Sequence, residues 1–327
     1  MEERQAIILV VQGGAGDVLA STPMIRGLRR EYPDDELVVL ATHAHLLENN
    51  SNIDKLISFE ITRELRSIYD TYIHGNNRIR FLKHHFLYDS YMDTTAADAD
   101  CLPEFICKVY GTEYDGNRLD YVVTPYEREA ATAFMKQFDK PVVLLHLTGI
   151  LPMKSLDFDK VFPIVKKYQK DYAFVQIGKA NDQPMKDVHN ALGMPMRDTI
   201  SLMPHAKTSI LIESVFAHCS NALGLSSVVV FKSTSPDFFG YTNNFNVWNS
   251  GGCSIWPCNR PIGPLNKFLP AYLNLETGQP LQWMCPDPLC SSISSDEIEE
   301  VFLAAIADMD RKEKSGPFKT LEDARKA

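Results

Sequence analysis

A carboxylate set directly behind a glycine turn is the first point in this 327-residue sequence where residue types and spacing suit chemistry. Ile7 to Gln12, apolar but for the last, run into Gly13-Gly14-Ala15-Gly16-Asp17, after which Ala20, Met24 and Leu28, with Ile25, mark one face of a helix. A buried strand, a tight turn and a helix start, in that order, let a ligand approach the backbone where free amides face an anion. A turn with no ligand is the plainer alternative. Asp17 stands where the helix should begin, either as a base or as a partner of those amides. The run lacks the full glycine spacing of a dinucleotide fingerprint, and no Gly-Lys-Ser/Thr phosphate loop is present.

Two further groups carry potential chemistry. Cys253, Cys258, Cys285 and Cys290 form two pairs, each with four intervening residues, in a Gly, Pro and Cys-rich segment over 250–292. Paired thiolates there would hold a structural zinc or iron; free buried thiols and disulfides are the alternatives. His74, Arg78, Arg80, Lys83, His84 and His85 lie among aromatic residues, either as a solvated face or as a dock for an anionic acceptor. Cys101, Cys107 and Cys219 read as helix-packing residues.

The elements that must position these groups alternate strand and helix. In the first half, strands are expected at 7–12, 37–41 and 121–123, with a short helix or turn leading to another strand near 53–57. Helices are expected after the glycine turn, at 101–110, and from Pro125 to about Phe138, the last capped by Thr124 and Glu127. The second half predicts strands at 142–147, 172–177, 209–212 and 228–231. Its helices fall at 158–168, 185–192 and 215–223, and a last one follows a Ser294–Glu297 capping box. Such alternation implies parallel sheets, hence an α/β fold with two units, 1–140 and 141–310, followed by a charged tail over 311–327.

A net charge of −9 argues against nucleic acid as a partner, since it offers no general basic surface for a phosphate backbone. No apolar run reaches the length that spans a bilayer, and MEERQA has none of the marks of a secretion signal. A cytoplasmic protein with largely reduced thiols or metal-bound cysteines is the expectation.

Two stretches resemble the glycosyltransferase family that contains the lipopolysaccharide heptosyltransferases. One is Gly16-Asp17 followed by Thr22-Pro23 and, beyond a helix, Tyr32-Pro33; the other is Glu213-Ser214-Val215-Phe216-Ala217-His218 followed by Ala222-Leu223-Gly224 and Thr234-Ser235-Pro236. Asn52-Ile53-Asp54 and Leu119-Asp120-Tyr121 also fall at family-like positions, so the resemblance runs from about Ile7 to Phe239. It implies a GT-B type fold, two Rossmann-like domains facing a central cleft, the first for the acceptor and the second for a nucleotide-diphosphate sugar. It further implies inverting transfer to a saccharide or glycolipid acceptor of the lipopolysaccharide or surface-glycan type. The enzyme would need no catalytic cofactor or metal and would work at most peripherally at the inner membrane face.

Residue by residue, the resemblance makes Asp17 the general base, behind Gly16. Lys154 becomes the cation for the donor phosphates, Ser214 and Val215 the backbone cradle of the diphosphate, and His218 a donor-side group. Each has a plainer reading: Asp17 as a helix-start partner, Lys154 as a surface lysine, Ser214 as a cap, His218 as a core histidine. Glu213 either orients His218 or a sugar hydroxyl, or makes a structural hydrogen bond, and Thr22 either meets the acceptor or holds the loop. The sequence departs from the family where Glu213 replaces aspartate, Val215 replaces glycine and Lys232-Ser233 follows Phe231 in place of a glycine. A valine strains any loop that needs positive φ. These departures keep open a non-catalytic nucleotide- or saccharide-binding protein, and a transferase acting on a protein or nucleobase.

Overall fold

The computed structural model describes residues 5–58, 79–81, 85–86, 98–252, 256 and 289–314. In the first half β1 (Ala6–Gln12) leads through α1 (Ala15–Ala20) and α2 (Thr22–Glu31) to β2 (Glu36–Ala41), β3 (Lys55–Ser58), β4 (Ile79–Phe81) and β5 (His85–Phe86). All pairings are parallel, in the order β3-β2-β1-β4, with β5 also beside β1. Then come α3 (Leu102–Tyr110), ended by left-handed Gly111, and α4 (Pro125–Met135). The Thr124–Glu127 box that opens α4 is formed in both directions, as its spacing requires.

The second half runs β6 (Val142–His146), α5 (Phe158–Tyr168), β7 (Ala173–Gly178), β8 (His189–Leu192), α6 (Met196–Leu202), β9 (Thr208–Ile212), α7 (Val215–Ala222), β10 (Val228–Phe231), α8 (Pro236–Phe239), β11 (Phe245–Trp248) and α9 (Ser295–Lys314). Its six parallel strands lie in the order β11-β10-β9-β6-β7-β8. Successive residues of β6 serve opposite faces. Val142 and Leu144 join a core continuous with the first half, whereas Val143 and Leu145 join one closed by Phe302 and Ile298 of α9.

Several expectations are corrected. The helix after the glycine turn is two: Ser21 and Thr22 bond back to Val18 and Leu19 carbonyls and Pro23 has no amide to continue the ladder, so the chain restarts at Thr22. Residues 121–123 form no strand; backbone groups here are taken by side chains, Leu119 N–H by Asn221, Asp120 N–H by Thr22 and the Val122 carbonyl by Arg197. Residues 185–192 do not form a helix. Met185 N–H is held by Gln176, Asp187 takes a left-handed φ of 61°, and His189–Leu192 pair with β7. Helix α6 and strand β11 were not expected. Helix α9 also continues through Lys314, into what read as a tail.

Candidate active site

The first half contributes the turn after β1. Thr42, at the end of β2, clamps it by accepting from Gly13 N–H at 3.1 Å and donating to the Gly13 carbonyl at 2.9 Å. Asp17, half-buried in the first turn of α1, accepts from Gly14 N–H at 2.9 Å through Oδ2. The helix-start reading of Asp17 is therefore realised. Thr22 is fully buried, and its hydroxyl accepts from Asp120 N–H at 2.8 Å.

The second half contributes the carboxyl ends of β6, β9 and β10. Strands β6 and β9 are neighbours, while the chain leaves β6 toward β7 and β9 toward β10, on opposite sides. This reversal opens a crevice beyond the strand ends, the place where open α/β sheets bind ligands. His146 ends β6 and Ser214 precedes α7, and the two meet across the crevice at 3.1 Å between Nδ1 and Oγ. Burial pushes His146 down to about 4, with Lys179 adding to it.

Beside them Lys154 forms an ion pair with buried Glu213, and Thr234 donates to Glu213 Oε2 at 3.1 Å. Burial raises the Glu213 carboxyl, but Lys154, with His218 and Thr234, outweighs it and holds the group below the usual glutamate range. Lys154 is thus no surface lysine, and its charge is already matched. The Lys154 ammonium also lies 5.7 Å from the centre of the Phe239 ring.

His218 joins the two halves. An added Cβ on Gly16 would lie 2.6 Å from His218 Cδ2 and 2.8 Å from Nε2, so the turn accepts no side chain there. Burial pushes His218 down to about 4, so the ring is neutral at pH 7, and Nδ1 lies 2.6 Å from the Tyr241 hydroxyl. Tyr241 is itself raised by burial and stays protonated. Its O–H can donate to Nδ1, which leaves Nε2–H directed toward the Gly16 turn. Val215 opens α7 with ordinary helical backbone and is not among the left-handed residues, which answers the strain expected of valine there.

Cys253, Cys258 and Cys285 lie outside the described residues, as do most of the basic cluster and its side chains. Among the described residues no three His, Cys, Asp or Glu side chains converge on a metal site. Cys107 and Cys219 are buried in helix packing, as expected, and burial pushes the Cys107 thiol up to about 11. Sequence reading missed His146 and Tyr241 as parts of this region, and named Lys232 only as a departure from the family pattern. The first was legible as a polar residue closing an apolar strand.

The two buried histidines have a consequence for stability. The unfolded chain binds their protons near pH 6.5 and the folded chain only near pH 4. Stability therefore falls as pH drops through that window, by about 1.4 kcal/mol per unit for each histidine. Urea unfolding between pH 7 and pH 5 should show this loss, and His146→Asn should remove one proton from the slope.

No protein-family model matches the sequence, and no curated protein matches it. Solved structures do match its fold. A glycosyl transferase family 9 protein of Veillonella parvula superposes with a TM-score of 0.69 over 94% of this chain and 99% of that one, at 16% identity. ADP-heptose lipopolysaccharide heptosyltransferase II of E. coli gives 0.65 over 94% and 100%, at 14% identity. The iron-containing dodecameric glycosyltransferase TibC of enterotoxigenic E. coli gives 0.64 over 95% and 78%, at 13% identity. The resemblance read from Gly16-Asp17 and from Glu213 to Gly224 therefore holds for the architecture: the chain has the GT-B glycosyltransferase fold of the family 9 and heptosyltransferase structures.

Proposed function

We propose that this protein is an inverting glycosyltransferase that moves a sugar from a nucleotide-diphosphate donor to a saccharide or glycolipid acceptor. The observation that carries the reading is the meeting of the Gly16–Asp17 turn with His218 at the mouth of the β6–β9 crevice, which brings a carboxylate from one sheet to an anion-suited strand end of the other. TibC, which shares the fold, has been solved in complex with ADP-D-β-D-heptose. The first sheet would present the acceptor and the second the donor, dividing the chain near residue 140.

In this reading Asp17 takes the proton of the acceptor hydroxyl as its oxygen attacks the anomeric carbon. The bond from that carbon to the diphosphate oxygen breaks on the opposite face, and the nucleoside diphosphate leaves with the electron pair. One base suffices, because no water need be activated. The backbone amides of Val215 and Phe216 and the hydroxyl of Ser214 face the departing charge at the start of α7. Neutral His218 donates a single hydrogen bond. Lys154 reaches a phosphate by sharing itself with Glu213, and the neutral Lys154–Glu213 pair is what favours the second reading, a binding protein without turnover.

Among the described residues no helix is long and apolar enough to cross a membrane; in this reading a glycolipid acceptor would be met peripherally at the inner membrane face. A structural zinc or iron on Cys253, Cys258, Cys285 and Cys290 stays a proposal independent of the transfer chemistry.

Calorimetric titration with ADP-, UDP-, GDP- and CMP-linked sugars tests the reading. One donor should bind with a Kd on the order of micromolar. Lys154→Ala and His218→Ala should each weaken it by about tenfold. Failure of every donor to bind would remove the donor-site assignment, and binding with no transfer to any saccharide would favour the binding protein.

A further inference from the structure

Lys232 follows β10 directly and is 8% exposed, so its ammonium is withdrawn from water. Its Nζ donates to the Ser155 carbonyl at 2.8 Å, and among the described residues no carboxylate pairs with it. A lysine ammonium has three N–H donors, so two find no acceptor among the described residues; a buried charge in that condition is costly unless a ligand or water completes it. Its own carbonyl accepts from the Trp256 indole at 2.6 Å, which anchors the backbone that carries it.

The acceptor of Lys232 belongs to the loop that also carries Lys154. Ser155 Oγ accepts from Gly149 N–H at 3.0 Å, and Leu156 N–H returns to the Leu147 carbonyl at 2.9 Å, so residues 147–156 form one closed loop at the end of β6. Across from it Glu213 cancels the charge of Lys154. Of Lys154 on this loop and Lys232 bonded to it, Lys232 alone has no carboxylate partner among the described residues. Thr234, two residues on, is spent on Glu213.

We infer that Lys232 is the principal cation for the phosphate groups of the donor, and that Lys154 is held in reserve by Glu213. The inference rests on the donor-site reading above and refines it: the ligand chemistry is a diphosphate, and the charge that meets it comes from β10. Lys154 then tunes the site, because it neutralises a buried carboxylate that would otherwise repel the anion.

Inorganic pyrophosphate and a panel of ADP, UDP and GDP, titrated calorimetrically into the whole protein, test this in three forms: wild type, Lys232→Met and Lys232→Gln. Methionine nearly conserves the volume without charge, and glutamine keeps a donor for the Ser155 carbonyl. Both variants should bind pyrophosphate and the nucleotides at least about tenfold more weakly. Each should also lower the salt dependence of binding by about one ion. Thermal unfolding checks that each is folded; if methionine is not tolerated, the glutamine variant decides alone. Recovery of affinity in Lys232→Gln would mean that the tie to Ser155 matters and not the charge, which overturns the inference. Unchanged affinity in both variants overturns it too, while leaving the donor site standing. A wild type that binds neither pyrophosphate nor any of the nucleotides overturns the donor site and the inference together.

Discussion

Asp17→Asn is expected to lower the sugar-transfer rate by about 10²- to 10⁴-fold while leaving donor affinity within about twofold. Asparagine has the shape of aspartate, and its Oδ1 can still accept from Gly14 N–H, so the turn against His218 should survive. What it cannot do is take the acceptor proton. The geometry contains an opposition that makes this test sharp. The Gly14 amide that positions the carboxylate also stabilises its charged form and so weakens it as a base. Transfer compensates if the proton leaves late, when the attacked carbon has already made the acceptor hydroxyl acidic. Loss of helix-start electrostatics alone would cost the fold only about 0.3–1 kcal/mol. Rates measured at saturating donor separate the outcomes: an unchanged rate would reduce Asp17 to a structural partner of α1, and a collapse of donor affinity would place it on the wrong side of the cleft.

The architecture was readable where strands of the second sheet are short, mostly apolar runs. Val142–His146 and Thr208–Ile212 are clear examples, buried along their whole length as a doubly covered parallel sheet demands. Reading failed where period and length are ambiguous. Met185–Leu192 has apolar residues compatible with either period, and only its pairing with β7 selects the strand. Met196–Leu202 is a seven-residue helix between Pro195 and Pro204, too short for its stripe to register. The site divides in the same way. Gly16, Asp17, Ser214 and His218 lie in two local runs, and the family resemblance of those runs picked them out. The Lys154–Glu213 pair, the His146–Ser214 contact and the bond from Lys232 to Ser155 join residues that follow different strands, and they exist only once the sheet order is known.

Arg197→Met should destabilise the protein by about 3–5 kcal/mol, the cost of breaking a buried ion pair from one side. Arg197 lies on α6 in the second half. Its Nε and Nη2 meet Glu127 Oε1 and Oε2 at 2.5 and 2.9 Å, Nη1 donates to the His45 carbonyl at 2.6 Å, and Nη2 donates to the Val122 carbonyl at 2.9 Å. The guanidinium lies 5.2 Å from the centre of the Tyr121 ring. One side chain thus ties α6 to the 3-10 turn Ala44–Leu47, to the 121–123 segment and to the start of α4. Glu127 would keep its bonds to Thr124 but lose its counter-ion, and burial would then raise its carboxyl where Arg197 and Thr124 now hold it low. In the wild type this depressed group contributes stability that is full above about pH 4.5 and fades as pH falls through its folded value, so the variant should lose that part of the acid dependence. Adding Glu127→Gln to Arg197→Met should recover part of the loss, since the uncompensated charge goes with it. Urea unfolding of the two single variants and the double variant measures all of this. A loss below about 1 kcal/mol for Arg197→Met would mean that water screens the pair.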